Sequence, residues 1–184
     1  TITDQDILDQ PGGDDPSLNQ VILRAPGVAQ DSFGQLHVRG KHNGLQYRIN
    51  GIIIPEGISV FGQTLDPRFI SSLKLITGAL PAEYGDRTAG IIDVQTKTGQ
   101  FETGGDVGIY GGSHSTLTPS LDYGGSSGNL DYFVSGDYTT DTLGIESPDG
   151  KSDPAHDRTK QWHGFAFVQD ILDSCSSITA ILGT

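Results

Sequence analysis

The segment DYFVSGDY, at residues 131–138, alternates between two kinds of side chain. Successive side chains of a β-strand point to opposite faces, so an alternating segment gives a strand with two chemically different faces. One face would carry Tyr132, Val134, Gly136 and Tyr138, and the other would carry Phe133, Ser135 and Asp137. The segment WHGFAFVQ, at residues 162–169, alternates in the same way. Both segments therefore predict β-strands that belong to a sheet with one apolar face.

Segments of this kind fill the second half of the chain, separated by clusters of Gly, Ser, Asn and Asp. We predict strands near residues 104–113, 115–124, 129–140, 159–170 and 175–183. Short links alternate with longer loops, and the longest is the polar, acidic stretch at residues 141–158. Strands of about ten residues in this arrangement are typical of a transmembrane β-barrel. A soluble β-sandwich has the same alternation, so periodicity alone leaves both architectures open.

The first hundred residues mix short helices with short strands. Asp15 can cap a helix whose first position is Pro16, and apolar side chains follow at helical spacing until Pro26 and Gly27 end it. A second helix that starts at residues 66–67 must be brief, because the two-residue period of a strand resumes soon afterwards. This region is therefore expected to be a compact α+β domain.

Three strand patterns complete the same region. Residues 36–38 and 45–49 alternate on either side of a turn that ends in Asn-Gly, which predicts a β-hairpin. The apolar run at residues 52–54 predicts a strand buried on both faces. A last strand is expected at residues 91–96, and the following Lys-Thr-Gly, at residues 97–99, indicates a domain boundary.

The charge of the chain argues against a nucleic-acid partner. The formal charge is −12, and residues 101–184 hold 3 Lys+Arg against 12 Asp+Glu. Such a surface cannot release counterions from a phosphate backbone. The single Cys175 excludes an internal disulfide and a cysteine-rich metal site. No apolar run of about 18 residues is present, so no transmembrane helix is predicted, and any export leader would precede residue 1.

Six segments, in this order and spacing, resemble the plug domain of TonB-dependent outer-membrane receptors. They are APGV at 25–28, LHVRG at 36–40, YRINGI at 47–52, DPRFI at 66–70, TGALPAEYG at 77–85 and AGIIDVQTK at 89–97. The family's usual residues differ at a few positions: Asn50 stands where Asp is usual, Ala79 where Pro is usual, and Ala89 where the first Gly of a pair is usual.

The resemblance implies an α+β plug, a small mixed sheet with short helices, at residues 1–99. Residues 100–184 would then be the first strands, about five, of a transmembrane β-barrel. Receptors of this family close a 22-stranded barrel with the plug, since the lumen is too wide for side chains to fill. A barrel of about five antiparallel strands is incomplete and would leave open hydrogen-bonding edges that lipid cannot satisfy. The chain is therefore expected to be a fragment of a longer polypeptide.

The resemblance also implies active uptake across the outer membrane of a Gram-negative bacterium. A scarce external solute would bind above the plug, and the inner-membrane partner TonB would supply energy. The solute is a small-molecule or oligomeric nutrient: siderophore, cobalamin, glycan and peptide all remain open. The TonB-contacting box is expected upstream of residue 1. The other expected contact is outer-membrane lipid.

No enzyme is expected, and neither a cofactor nor a metal. The sequence has no His-Glu-x-x-His helix and no phosphate-binding glycine loop. Two other hypotheses come from different classes of protein. One is a soluble binding or adhesion module with a plug-like domain and a β-rich tail, and the other is a carbohydrate-acting enzyme.

For solute binding, the resemblance points to plug loops that carry Gln35, Arg39, Glu56 and Phe61. Arg39 can offer a bidentate fork to an anionic group of a solute, or can pair with barrel carboxylates that seat the plug. Phe61 can stack on a solute or pack on the barrel wall. His37 alternates with apolar neighbours and is interpreted as structural and not as a metal ligand.

Overall fold

A computed structural model describes residues 1–32, 35–41, 44–54, 66–85, 89–142 and 158–184. The chain divides into two compact units, a first unit, Thr1–Thr96, and a second unit, Lys97–Thr184. The domain boundary predicted from the sequence, between residues 99 and 100, falls close to this division and stays a prediction. None of the helices in the described parts of the chain is long and apolar enough to cross a membrane.

The first unit is a five-stranded mixed sheet with short helices and a separate two-stranded ribbon. Its elements are β1 (Ile2–Thr3), α1 (Asp4–Leu8), α2 (Leu18–Ile22), β2 (Val28–Gln30), β3 (Leu36–Val38), β4 (Leu45–Ile49), β5 (Ile52–Ile53), β6 (Ile70–Ile76) and β7 (Gly90–Thr96). The sheet order is β1-β6-β7-β4-β5, and β2 pairs with β3. Single turns of 3-10 helix lie at Pro67–Phe69 and Ala82–Tyr84.

The core of the first unit lies around β7. Ile91, Ile92 and Val94 are at most 1% exposed, which shows that both faces of this strand are covered. β7 runs antiparallel to β6 and parallel to β4, where Tyr47 pairs with Ile92. Parallel strands are buried strands, and the apolar run of β7 fits that position.

The N-terminal elements attach to the edge of this sheet. β1 pairs with β6 over two residues. Thr3 caps α1 in a capping box, in which its hydroxyl accepts from the Asp6 N–H and the Asp6 carboxylate accepts from the Thr3 N–H. The Thr3 N–H and the Thr3 hydroxyl both donate to the Asp6 carboxylate, and these two hydrogen bonds lower the pKa of the Asp6 carboxyl. The prediction that Asp15 caps a helix starting at Pro16 is wrong, because α2 begins after Ser17 and Asp15 instead forms an ion pair with Arg68.

Two strand predictions for the first unit are also wrong. Residues 36–49 do not form a hairpin, since β3 pairs with β2 while β4 pairs with β7 and β5. The partner of β4 lies 45 positions away, where Leu45 meets Gly90, and no local turn signal reveals such a pairing. The run at residues 52–54 is not buried on both faces. It contributes β5, an edge strand in which Ile52 is 64% and Ile53 53% exposed.

The second unit is one antiparallel sheet. Its strands are β8 (Gly104–Gly111), β9 (Leu117–Ser127), β10 (Leu130–Asp141), β11 (Thr159–Asp173) and β12 (Ser176–Gly183). They follow one another in sheet order as in sequence order. The five strands predicted from alternation are confirmed, with bounds that shift by a few residues. Most of the acidic loop between β10 and β11 lies outside the described residues.

The register brings the apolar sets of neighbouring strands onto the same face. Gly105, Tyr123, Val134, Ala166 and Leu182 form one continuous row across the five strands. The opposite face carries polar side chains over much of its area, including Asp106, Asp122 and Ser135 in the next row. It becomes aromatic toward the tight turns, where Phe133, Phe165 and Phe167 are buried. The sheet thus has one apolar face and one largely polar face.

We expect Asn50 to be a stabilising residue of the first unit. Its side chain donates to the Thr96 hydroxyl at 2.8 Å and accepts from the Thr96 N–H at 3.0 Å, which joins the ends of β4 and β7. Asn50→Ala should reduce the free energy of unfolding by about 2 kcal/mol, since two half-buried hydrogen bonds are lost and φ is +49°. Chemical denaturation measures this change.

Asn50→Asp is the matched control, because a carboxylate can accept from both the Thr96 N–H and the Thr96 hydroxyl. This substitution should leave the free energy of unfolding nearly unchanged. Asn50→Gly should lower it by an intermediate amount, because glycine relieves the left-handed backbone but lacks the hydrogen bonds. If the Asp variant were as unstable as the Ala variant, the Thr96 contacts would not be the cause.

Burial raises the pKa of the Tyr47 phenol to about 12 from an ordinary 10.0. Between pH 10 and pH 12 Tyr47 would ionise in the unfolded chain but not in the folded chain. The contribution of Tyr47 to the free energy of unfolding is therefore fully present below pH 10 and is lost as the pH rises toward 12. The expected loss is roughly 2 to 3 kcal/mol. Phenolate absorbance of the wild type minus that of Tyr47→Phe should titrate near pH 12. A difference curve centred near pH 10 would contradict the buried, neutral phenol.

Candidate functional site

The loop between β2 and β3 is closed by Asp31 and Gln35. The Asp31 N–H donates to the Gln35 carbonyl at 3.0 Å, and the Gln35 N–H donates to Asp31 Oδ1 at 2.9 Å. These two hydrogen bonds tie the ends of the loop together, so the half-buried Gln35 enters β3 from a defined position. Sequence reasoning identified Gln35 but missed Asp31, although an Asp at the start of a loop is a usual partner for backbone N–H groups.

The buried His37 of β3 shares the same carboxylate. Its Nε2 lies 3.1 Å from Asp31 Oδ2, while the residue is 8% exposed. Asp31 thus connects the loop backbone through one oxygen and the strand through the other. This contact supports the structural interpretation of His37, since the imidazole nitrogen is engaged by a carboxylate within its own ribbon.

Arg39 follows β3 directly and has a left-handed backbone with φ of +52°. Its N–H donates to the Gly27 carbonyl at 2.8 Å. The side chain is exposed and runs beside two glycines: a Cβ on Gly27 would lie 3.7 Å from Arg39 Cγ, and a Cβ on Gly78 would lie 3.8 Å from Nη1. Within the described residues, the guanidinium forms no hydrogen bond or ion pair. Its charge is therefore presented at the surface of the first unit.

The strand register explains why Arg39 approaches Gly78. Leu45 pairs with Gly90, and Ile76 pairs with Ile91, so the start of β4, the start of β7 and the end of β6 meet at one edge of the sheet. The loops that precede β4 and follow β6 therefore come together at this edge. Arg39 belongs to the first loop and Gly78 to the second.

The predicted site residues are only partly brought together. Gln35 and Arg39 lie at opposite ends of the three-residue β3, which separates them by about 13 Å at the usual rise of a strand. A solute in contact with both would have to extend along β3. Glu56 and Phe61 lie outside the described residues, as does most of their loop.

A second charged cluster, which sequence reasoning missed, surrounds Arg68. Its Nη1 lies 3.0 Å from Asp14 Oδ1, its Nη2 bonds Asp15 Oδ1, and its Nε lies 3.7 Å from Asp66 Oδ2. The arginine side chain is 9% exposed. Asp14 and Asp15 are separated from Arg68 by more than fifty residues of sequence, so no local pattern could have indicated these two contacts.

The polar face of the second unit carries three neighbouring carboxylates, Glu102, Asp106 and Asp122, with oxygens within 4.8 Å of one another. Donors of the protein itself bind two of them. Lys97 Nζ lies 2.8 Å from Glu102 Oε2, and the Asp106 N–H donates to Asp122 Oδ1 at 3.2 Å. We assign no metal to this group.

Comparisons with known proteins agree with the fold. The sequence profile of the TonB-dependent Receptor Plug Domain matches residues 1–92, which is half of the chain. The TonB-dependent transporter Oar of Myxococcus xanthus is 30% identical over 103 residues, which cover 52% of this chain and 9% of Oar.

Solved structures share the architecture of almost the whole chain. Pseudomonas aeruginosa FpvA, bound to pyoverdine, superposes with a TM-score of 0.75 at 16% identity over 98% of this chain and 24% of its own. The FrpB iron transporter of Neisseria meningitidis gives 0.72 at 13% identity over 100% and 31%. The ferric enterobactin receptor PfeA of P. aeruginosa gives 0.69 at 18% identity over 99% and 32%. The chain spans less than a third of each of these proteins.

These matches confirm the fold class, a plug-like mixed sheet followed by antiparallel strands of a barrel that is not closed within this chain. The matching family model is that of a receptor domain and not of an enzyme domain. The six ordered motifs of the first hundred residues and the profile match coincide in the same unit, and the chain therefore belongs to the TonB-dependent receptor plug-domain family.

Proposed function

We propose that this chain is the plug and the first five barrel strands of a TonB-dependent transporter in the outer membrane of a Gram-negative bacterium. The plug domain would occupy residues 1–99 and the barrel strands residues 100–184. The plug gates the barrel and contributes to binding of a scarce external solute. TonB supplies the energy.

The observation that carries this proposal is the two-faced sheet that follows the plug. On its apolar face, Val107, Ile109, Trp162 and Leu182 are each more than 65% exposed. A contiguous apolar face of this size is unfavourable in water and suits a hydrocarbon environment. The polar face of the same strands would then point away from the lipid. A soluble sandwich would need a second sheet to cover the apolar face.

The class of solute is proposed from the structures that share this fold. Structures that share this fold include receptors solved with pyoverdine and with enterobactin, so ferric siderophores are the first solutes to test. Cobalamin, glycans and peptides are the other solutes to test. Transport makes and breaks no bond of the solute, so the chain's own task is binding and gating.

We propose that Arg39 and Gln35 contact the solute from the two ends of β3. The exposed guanidinium of Arg39 supports this role, because it forms no ion pair within the described residues. A planar fork of N–H donors matches a carboxylate, and siderophores and peptides can both present carboxylates or similar anionic groups. The same charge could instead meet barrel carboxylates, and the experiment below separates the two.

The complete receptor tests the transport proposal. Membrane fractionation of cells that express the full-length gene should place the protein in the outer membrane, and a tonB deletion should abolish uptake of the solute while binding persists. Radioactive iron carried by a panel of siderophores gives the readout, followed by labelled cobalamin, glycans and peptides. Recovery of the full-length protein in the soluble fraction would contradict the proposal and would favour a soluble binding module.

Arg39→Ala should weaken solute binding by roughly ten- to hundredfold, as expected for a lost charge-assisted hydrogen-bond pair of about 1.5 to 3 kcal/mol. The substitution keeps a Cβ, so the left-handed backbone strain is unchanged. Equilibrium binding to the purified receptor measures the effect. Arg24→Ala, at another exposed arginine of the first unit, is the control and should bind normally. Normal affinity with a lowered unfolding temperature would instead assign Arg39 to seating of the plug.

A further inference from the structure

The first 17 residues, which we call the N-terminal strap, are attached to the rest of the first unit by short elements, one buried side chain and one charged cluster. β1 forms two residue pairs, Ile2 with Leu73 and Thr3 with Ser72, and α1 has five residues. Elements of this size have no stability of their own. Ile7 is the only buried side chain among residues 1–17, all of which the structure describes. The sequence then enters the core, because Leu18 of α2 is fully buried.

The charged cluster around Arg68 joins the end of the strap to the turn before β6. Asp14 and Asp15 come from the strap, and each binds a different terminal nitrogen of the guanidinium. Asp66 comes from the same turn as Arg68 and also accepts the Arg68 N–H at 3.0 Å. The arginine and Asp66 therefore belong to the body of the sheet, whereas the other two carboxylates belong to the strap.

The contact between the strap and the turn before β6 depends on the positive charge of Arg68. Three carboxylates, whose side chains are 26%, 18% and 11% exposed, surround one guanidinium that is 9% exposed. Without the cation, three neighbouring and partly desolvated anions would repel one another. The strap-side aspartates would then be driven toward water. A buried ion pair that loses one partner is strongly destabilising for the segment that it holds.

We propose that the Arg68 cluster is a latch that holds the N-terminal strap on the sheet, and that residues 1–17 detach as one unit when the latch opens. The remainder of the first unit keeps its own core around β7 and does not depend on the strap. Detachment leaves β6 with a free edge where Ile2 and Thr3 were paired. This inference goes beyond the proposed transport function, because no solute, partner or energy source enters it.

Hydrogen exchange of the full-length receptor, read by mass spectrometry, tests the latch. In Arg68→Met, peptides from residues 1–9 should exchange roughly a hundredfold faster or more, whereas peptides from β4 and β7 should be unchanged. Arg24→Met, at an exposed arginine outside the cluster, is the matched control and should exchange like the wild type. Equal acceleration in β4, β7 and residues 1–9 would overturn the latch, because Arg68 would then support the whole unit.

A second variant keeps the test decisive if Arg68→Met does not fold. The double variant Asp14→Ala, Asp15→Ala removes the strap side of the cluster and leaves Arg68 paired with Asp66. It should give the same local acceleration at residues 1–9 with β4 and β7 unchanged. Wild-type exchange at residues 1–9 in this double variant would also overturn the proposal.

Discussion

The arrangement of the first unit depends on the parallel pairing of β4 with β7. A parallel pair cannot be closed by a tight turn, so the chain must leave the end of β4 and return to the opposite edge before β7 begins. β6 pairs with the other edge of β7 in this excursion, so β7 is a central strand of the sheet, and its apolar side chains are buried. Asn50 fastens the shared end of the pair to Thr96. The loops near Arg39 and Gly78 meet at the other end because this register is fixed.

The second unit has a simpler strand order, because each strand pairs with the strands next to it in sequence. In such a meander each apolar position faces the apolar position of the next strand once the turn lengths set the register. A shift by one residue in β10 would place Phe133 on the apolar face and Val134 on the polar face. The continuous row from Gly105 to Leu182 therefore reflects a single register carried through four consecutive pairings.

This difference between the units determines what could be predicted from the sequence. Local alternation was sufficient for β8 to β12, because each strand pairs with its neighbours in sequence. Alternation also located β3 and β4, but the turn signal between them predicted the wrong pairing, because β3 pairs with β2 and β4 pairs with β7. Edge position decided the exposure of Ile52, which composition cannot indicate. For the candidate site, motifs located Gln35 and Arg39, but the roles of Asp31 and Asp15 depend on contacts that only the folded chain creates.

Arg39 and Arg68 show how the same residue type takes opposite tasks in one small unit. Arg39 lies in the motif LHVRG and Arg68 in the motif DPRFI, and neither motif indicates whether its arginine is paired within the unit. Three carboxylates within the unit surround the charge of Arg68 and leave no direction from which a solute anion would be attracted. The charge of Arg39 lies at the surface beside Gly27 and Gly78, and it forms no ion pair within the described residues. An arginine whose charge is already compensated stabilises a fold, whereas one whose charge is presented outward is available to a ligand, and the difference lies in which carboxylates the fold brings near.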